Sequence, residues 1–158
     1  MKIIVSIMLA FFCLTGFGQK IGKITKVIDG NTFEVEMKTG EKKHETVVLY
    51  GIDAPELQQQ YGKASQGHLK KMLYAEVEIE YKNRDPKQNM VAMVYHTDKK
   101  GNKTCLNYDL VEQGYAWKFQ HVNDKKLEQL EKKARKNRAG LWKNANPIPP
   151  WEYRKNNK

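Results

Sequence analysis

Two β-rich segments joined by a tight turn constrain the fold of this chain more than any other feature. Residues 21–28 and 32–37 are rich in β-branched and alternating apolar side chains, and Asp29-Gly30-Asn31 lies between them. Asp, Gly and Asn are the residues that tight hairpin turns favour. A second turn at residues 38–41 leads into residues 45–50, so the sequence predicts a three-stranded meander.

A helix and two further strands are predicted after the meander. Residues 64–75 place Leu69, Met72 and Leu73 on one face, which is typical of an amphipathic helix. Residues 77–81 and 90–95 have the composition of a fourth and a fifth strand.

The C-terminal third of the chain is predicted to be helical, with an aromatic tail. Residues 107–113 form a short helix stopped by Gly114. Asn123 can cap a longer helix that ends at Ala139-Gly140. The core-facing side chains of this helix are Leu127, Leu130 and Ala134. Trp142 and Trp151 are expected to hold the tail against the rest of the fold.

The first 18 residues have the features of a secretory signal peptide. Lys2 precedes an apolar run over residues 3–17, and this run is shorter than the roughly 20 residues that span a bilayer. A membrane anchor and a lipid anchor at Cys13 are the alternatives. We therefore predict a signal peptide at 1–18, one domain at 19–158, no membrane span, and a secreted or periplasmic location.

The chain carries a net charge of +10, from 28 Lys and Arg against 18 Asp and Glu side chains. An excess of this size favours polyanionic partners, because neutralised phosphates release their counterions. The alternative is that part of this positive charge only solvates a helix surface, as at Lys125-Lys126 and Lys132-Lys133. Charge thus supports a nucleic-acid partner without establishing one.

Four motifs in order carry a resemblance to a known family. They are the turn segment 27–32, the segment Gly51-Ile52-Asp53-Ala54-Pro55-Glu56, the segment 107–116, and a tail that contains Ala-Gly-Leu-Trp and Pro-Pro-Trp-Glu-Tyr-Arg. Together they resemble the thermonuclease family of secreted, calcium-dependent nucleases. The resemblance, with a helix after the third strand, implies an α+β and mainly β fold: a five-stranded OB-type barrel with about three helices.

The resemblance implies a calcium site at Asp29, Asn31 and Asp53. The family has a second Asp where this chain has Asn31, so one negative charge is missing from a site whose affinity depends on charge count. We therefore predict weak calcium binding. The alternative role for Asp29 and Asn31 is a turn, and for Asp53 an Asx-type turn before Ala54.

Glu56 matches the general base of the family, but both of the family's phosphate-gripping arginines are missing. Val48 and Asn89 stand at their positions. Arginine holds phosphate through a planar fork that a point charge replaces poorly. Arg84 and Lys87 are close in sequence and could partly substitute, so we predict strongly impaired hydrolysis.

Binding of a single nucleic-acid strand requires fewer groups than hydrolysis does, because a basic groove with aromatic faces suffices. The candidate phosphate contacts are Lys63, Lys70, Lys71 and Lys87, and the candidate stacking side chains are Phe119 and His121. Each of these could instead be solvated surface or core.

The sequence therefore predicts an exported, monomeric protein that binds nucleic acid, DNA or RNA and in particular single strands, with little or no cleavage. Two alternatives stay open. The chain could be a slow metal-dependent endonuclease, or it could be an envelope scaffold that binds protein through the barrel face.

Overall fold

A closed five-stranded barrel forms the centre of the molecule. The computed structural model describes residues 20–38 and 40–157, and the predicted signal peptide lies outside them. The strands are β1 Lys20–Val27, β2 Thr32–Met37, β3 His44–Leu49, β4 Ile52–Asp53, β5 Glu76–Arg84, β6 Met90–Thr97, β7 Lys103–Cys105 and β8 Trp117–Lys118.

The barrel closes through a parallel pairing. β3, β2, β1, β5 and β6 follow one another as antiparallel neighbours, and β3 then pairs with β6 in parallel, with Val47 opposite Met90. The alternation along β2 turns Phe33 and Val35 into the fully buried interior. The predicted OB-type barrel is confirmed. The short strands β4, β7 and β8 were not predicted.

Four α-helices and two short 3₁₀ helices surround the barrel. The α-helices are α1 Gly62–Leu69, α2 Leu106–Glu112, α3 Lys125–Lys136 and α4 Pro150–Asn156, and the 3₁₀ helices are Lys70–Met72 and Gly140–Lys143. Among the residues described, no helix has the length and apolar character needed to cross a membrane.

The predicted boundaries of α1 and α3 were wrong, and α3 ends at Lys136, before Ala139-Gly140. α1 ends at Leu69 and continues only as a 3₁₀ turn, because Leu73 is extended and Tyr74 has a left-handed φ of 66°. α3 is capped by Asp124, not Asn123: its carboxylate accepts hydrogen bonds from the amides of Lys126 and Leu127 at 2.8 and 3.0 Å.

Aromatic side chains hold the C-terminal tail against the barrel, as predicted. Trp142 and Trp151 lie edge-on to Trp117 of β8, with ring centroids 4.3 and 5.7 Å away. Trp117 and Trp142 are both buried. This packing sets the position of α4, which the sequence did not predict as a helix.

Candidate active site

A cleft of about 540 Å³ at one end of the barrel gathers residues from β3 and from four further segments. The β1–β2 turn contributes Asp29 and Asn31, the loop after β4 contributes Glu56, the β5–β6 hairpin contributes Lys87, and α4 contributes Arg154. The first four were predicted as site residues, and Arg154 was not.

The β1–β2 turn is a tight turn packed against the loop after β4. Asp29 Oδ1 accepts a hydrogen bond from the amide of Asn31 at 2.9 Å, as in an Asx turn. Gly30 lies so close to its neighbours that an added Cβ would stand 2.6 Å from the Cβ of Ala54 and 2.8 Å from that of Ser65. Glycine at this position therefore allows the turn to approach the Asp53 loop.

Asp53 is almost fully buried and is paired with Arg154. Arg154 Nη1 and Nη2 donate to Asp53 Oδ1 and Oδ2 at 3.2 and 2.7 Å, and Nη1 also donates to Glu56 Oε1 at 2.7 Å. Burial raises the pKa of Asp53, and the hydrogen bonds from Arg154 oppose that shift. Hydrogen bonding to Asp53 raises the pKa of Arg154, so the guanidinium stays charged.

Arg154 is the site residue that the sequence interpretation missed. The only sequence signal for Arg154 was its place at the end of the tail motif Pro-Pro-Trp-Glu-Tyr-Arg. This motif indicated the family, but it did not indicate that Arg154 lies at the site. Pro150 begins α4 at a position that proline favours, and Trp151 contacts β8. The tail thereby brings a residue 101 positions away in sequence onto Asp53.

The β5–β6 hairpin uses Asn89 as a turn residue. Asp85 accepts hydrogen bonds from both the amide and the side chain of Asn89 at 2.9 Å. Asn89, Val48 and Lys87 all line the cleft. The cleft thus has an amide and an aliphatic side chain at the two positions where the resemblance predicted arginines.

Arg84 is engaged elsewhere. Its two terminal nitrogens donate to the two carboxylate oxygens of Glu45 at 2.7 Å, and it lines a different depression, together with Lys42. The catalytic role predicted for Arg84 therefore has no support from its position. Lys87, by contrast, is exposed and lines the cleft.

The Arg84–Glu45 pair should make stability depend on acidity. The hydrogen bond from Arg84 lowers the pKa of Glu45 below its ordinary value of 4.5. The stabilisation from ionised Glu45 is then complete above pH 4.5, and it is lost as the pH falls through the lower pKa that Glu45 has in the folded state. We expect Glu45→Gln to reduce the free energy of unfolding by about 2 kcal/mol at pH 7 and by less in acid. Urea unfolding at several pH values checks this, and an equal loss at all pH values would contradict it.

The other predicted nucleic-acid contacts lie outside the cleft lining. Lys63 lines a separate depression on the Gln58 side, and Lys70 and Lys71 are exposed on the first 3₁₀ helix. Phe119 packs edge-on against His121 and Trp151, with ring centroids 5.3 and 6.3 Å away. Of all the predicted nucleic-acid contacts, the structure therefore brings only Lys87 into the lining of the cleft.

A calcium ion needs six to eight oxygen ligands. In this arrangement both oxygens of Asp53 and one of Glu56 already accept hydrogen bonds from Arg154. Within residues 20–38 and 40–157, no group of three or more His, Cys, Asp or Glu side chains is arranged to hold a metal ion. The residues as placed do not fit calcium.

Comparison with known proteins adds a family match over the middle of the chain. The family model described as staphylococcal nuclease homologue matches residues 46–144. This segment holds Asp53, Glu56 and Lys87, whereas Asp29 and Arg154 lie outside it.

Full-length relatives extend the similarity over most of the chain. An uncharacterized endonuclease of Escherichia coli O157:H7 is 35% identical over 135 residues, which cover 84% of each chain. One of Haemophilus influenzae is 31% identical over 99% of this chain and 86% of its own. The micrococcal nuclease of Shigella flexneri is 28% identical over 87% of this chain and 82% of its own. The chain therefore belongs to the staphylococcal nuclease homologue family.

Proposed function

We propose that this protein is exported and binds nucleic acid, in particular single strands, at the Asp53 cleft, with strongly impaired phosphodiester hydrolysis. The observation that carries the proposal is the pairing of Arg154 with Asp53 and Glu56, in a cleft that Val48 and Asn89 also line. The family resemblance implies arginines at positions 48 and 89. Hydrolysis requires a carboxylate free to orient water and cations to stabilise the charge on phosphorus. Here the candidate base and the strongest cation of the cleft are hydrogen-bonded to each other.

Several features support a nucleic-acid ligand. The relatives are described as endonucleases or nucleases, and the chain has a net charge of +10. Lys87 stands exposed at the cleft, where a phosphate could approach it. The apolar N-terminal segment supports export, to a secreted or periplasmic location.

A second candidate is a slow metal-dependent endonuclease. The specific observation in its favour is that Glu56, the residue matching the general base, lines the cleft and is exposed enough to contact water. In this alternative, displacement of Arg154 would precede cleavage, and Lys87 would provide the remaining cation. Calcium would be held weakly, because Asn31 supplies no charge.

Fluorescence anisotropy with labelled single-stranded DNA tests the binding proposal. We expect affinity to fall about tenfold between about 50 and about 200 mM salt, as for roughly three phosphate contacts. The chelated and calcium-containing samples should behave alike. Binding that is absent at low salt would refute the proposal.

A timed digest of the same DNA separates the two candidates. We expect no cleavage above that of a Glu56→Gln control, with calcium or with chelator. Calcium-dependent cleavage that disappears in Glu56→Gln would establish the slow endonuclease instead.

A further inference from the structure

We propose that Arg154 is the resident cation of the cleft: its guanidinium holds Asp53 and Glu56 in the place of a metal ion and presents its remaining N–H groups to a phosphate of the nucleic acid. The inference rests on the proposed function and adds to it the residue that recognises phosphate. It also implies that binding needs no calcium.

The hydrogen-bond inventory of Arg154 leaves donors for a ligand. A guanidinium has five N–H donors. Three are used, two from Nη1 and one from Nη2, on Asp53 and Glu56. Among the described residues, Arg154 donates to no further acceptor. Its Nε–H and one Nη2–H therefore remain available to a ligand. The side chain is 45% exposed, and it lines both the Asp53 cleft and the neighbouring depression at Gln58 and Asn157.

The charge balance makes Arg154 necessary for an anionic ligand. Without it, the cleft would present the carboxylates of Asp29, Asp53, Glu56 and Asp85, opposed among its lining residues by Lys87 alone. Such a surface repels phosphate. With Arg154, two cations oppose the four carboxylates, the buried Asp53 is neutralised, and a planar fork that suits phosphate oxygens lies at the cleft.

The position of Arg154 also excludes a metal ion from the same carboxylates. A cation bound at Asp53 would have to break two hydrogen bonds of 3.2 and 2.7 Å and turn the Arg154 side chain away from the carboxylate. The tail is held independently by Trp151 against Trp117 and by Gln59, which donates to the carbonyl of Ile148 at 2.6 Å. Arg154 is therefore anchored through the tail and is not a loosely placed surface side chain.

The test compares Arg154→Gln and Arg154→Lys in the whole chain with the matched control Lys155→Gln. Lys155 follows on the same helix and is exposed, so the control removes the same charge outside the cleft lining. Anisotropy of labelled single-stranded DNA in chelator measures binding without metal, and calorimetric titration with calcium measures metal binding. Near-UV circular dichroism verifies that the tail tryptophans stay packed.

In chelator, we expect Arg154→Gln to weaken DNA binding at least about tenfold more than Lys155→Gln does. Arg154→Lys should lie between wild type and Arg154→Gln, because a point charge replaces the fork only in part. In the calcium titration, Arg154→Gln should bind at least about tenfold more tightly than wild type, because Asp53 and Glu56 are freed. Lys155→Gln should leave calcium binding unchanged.

Two results would overturn the inference: equal behaviour of Arg154→Gln and Lys155→Gln in both measurements, or DNA binding by the wild-type chain only when calcium is present. If the wild-type chain binds no DNA under any condition, the proposed function fails. The calcium titration then still decides whether Arg154 occupies the metal's place. If Arg154→Gln does not fold, Arg154→Lys is decisive, and wild-type behaviour in both measurements would refute the inference.

Discussion

The combined variant Asn31→Asp, Val48→Arg, Asn89→Arg and Arg154→Gln, in which Asp53 and Glu56 no longer pair with Arg154, is expected to cleave single-stranded DNA at least about 10³-fold faster than the wild-type chain when calcium is present. The two new arginines would enter the cleft that Val48 and Asn89 line. Each would offer a planar fork for phosphate charge, and the new carboxylate at position 31 would favour a hard cation. Initial rates on labelled DNA, with calcium and with chelator, measure the gain.

Two controls make this result interpretable. The same combined change with Glu56→Gln should remain inactive, because it lacks the carboxylate that orients water. A single Asn83→Arg change adds charge to the exposed part of β5 without entering the cleft lining, and it should leave the rate unchanged. A combined variant that folds but cleaves no faster than wild type would contradict the proposal that the missing groups and the Arg154 pairing impair hydrolysis.

Gly62→Ala is expected to lower the free energy of unfolding by about 3 kcal/mol, since it overpacks backbone against backbone. A Cβ at this position would stand 1.8 Å from the carbonyl oxygen of Glu56. That oxygen already accepts the amide of Gln59 at 2.8 Å, so the loop cannot move away without breaking its own turn. The loop that carries Glu56 is therefore held in place by the start of α1.

Gly67→Ala is the matched control within the same helix. No atom lies within 4 Å of a Cβ built at Gly67. Alanine has the higher helix propensity, so this change should raise stability by about 0.5 to 1 kcal/mol. Urea unfolding of the two variants at neutral pH compares them, and equal stabilities would show that the contact at Glu56 does not constrain the loop.

Local chemistry explains which elements could be predicted. The β1–β2 turn depends on Asp29, Gly30 and Asn31 alone, with a hydrogen bond that spans two residues. The stripe of α3 depends on helical spacing, and Leu127 and Ala134 are buried as predicted. The cap of α3 was missed by one residue, because Asn123 and Asp124 are both suitable capping residues and only the observed backbone distinguishes them.

Long-range contacts explain the errors at the site. Arg84 was a candidate because it lies near Lys87 in sequence, but Glu45 on β3 holds its guanidinium once the barrel is closed. Lys63, Lys70 and Lys71 were candidates for charge alone, and each lies outside the lining of the cleft. Charge in a sequence does not indicate which face of the fold a side chain will reach.

The sequence was enough to predict the five barrel strands, the helix after the third of them and the family. Through the family resemblance it also predicted Asp29, Asn31, Asp53 and Glu56 as neighbours, and the structure places all four along one cleft. These predictions follow from local periodicity and from short motifs. The position of Arg154 at the same cleft depends instead on the tertiary structure. Its pairing with Asp53 spans 101 residues and depends on barrel closure and on the packing of Trp151 against Trp117, contacts that no local pattern specifies.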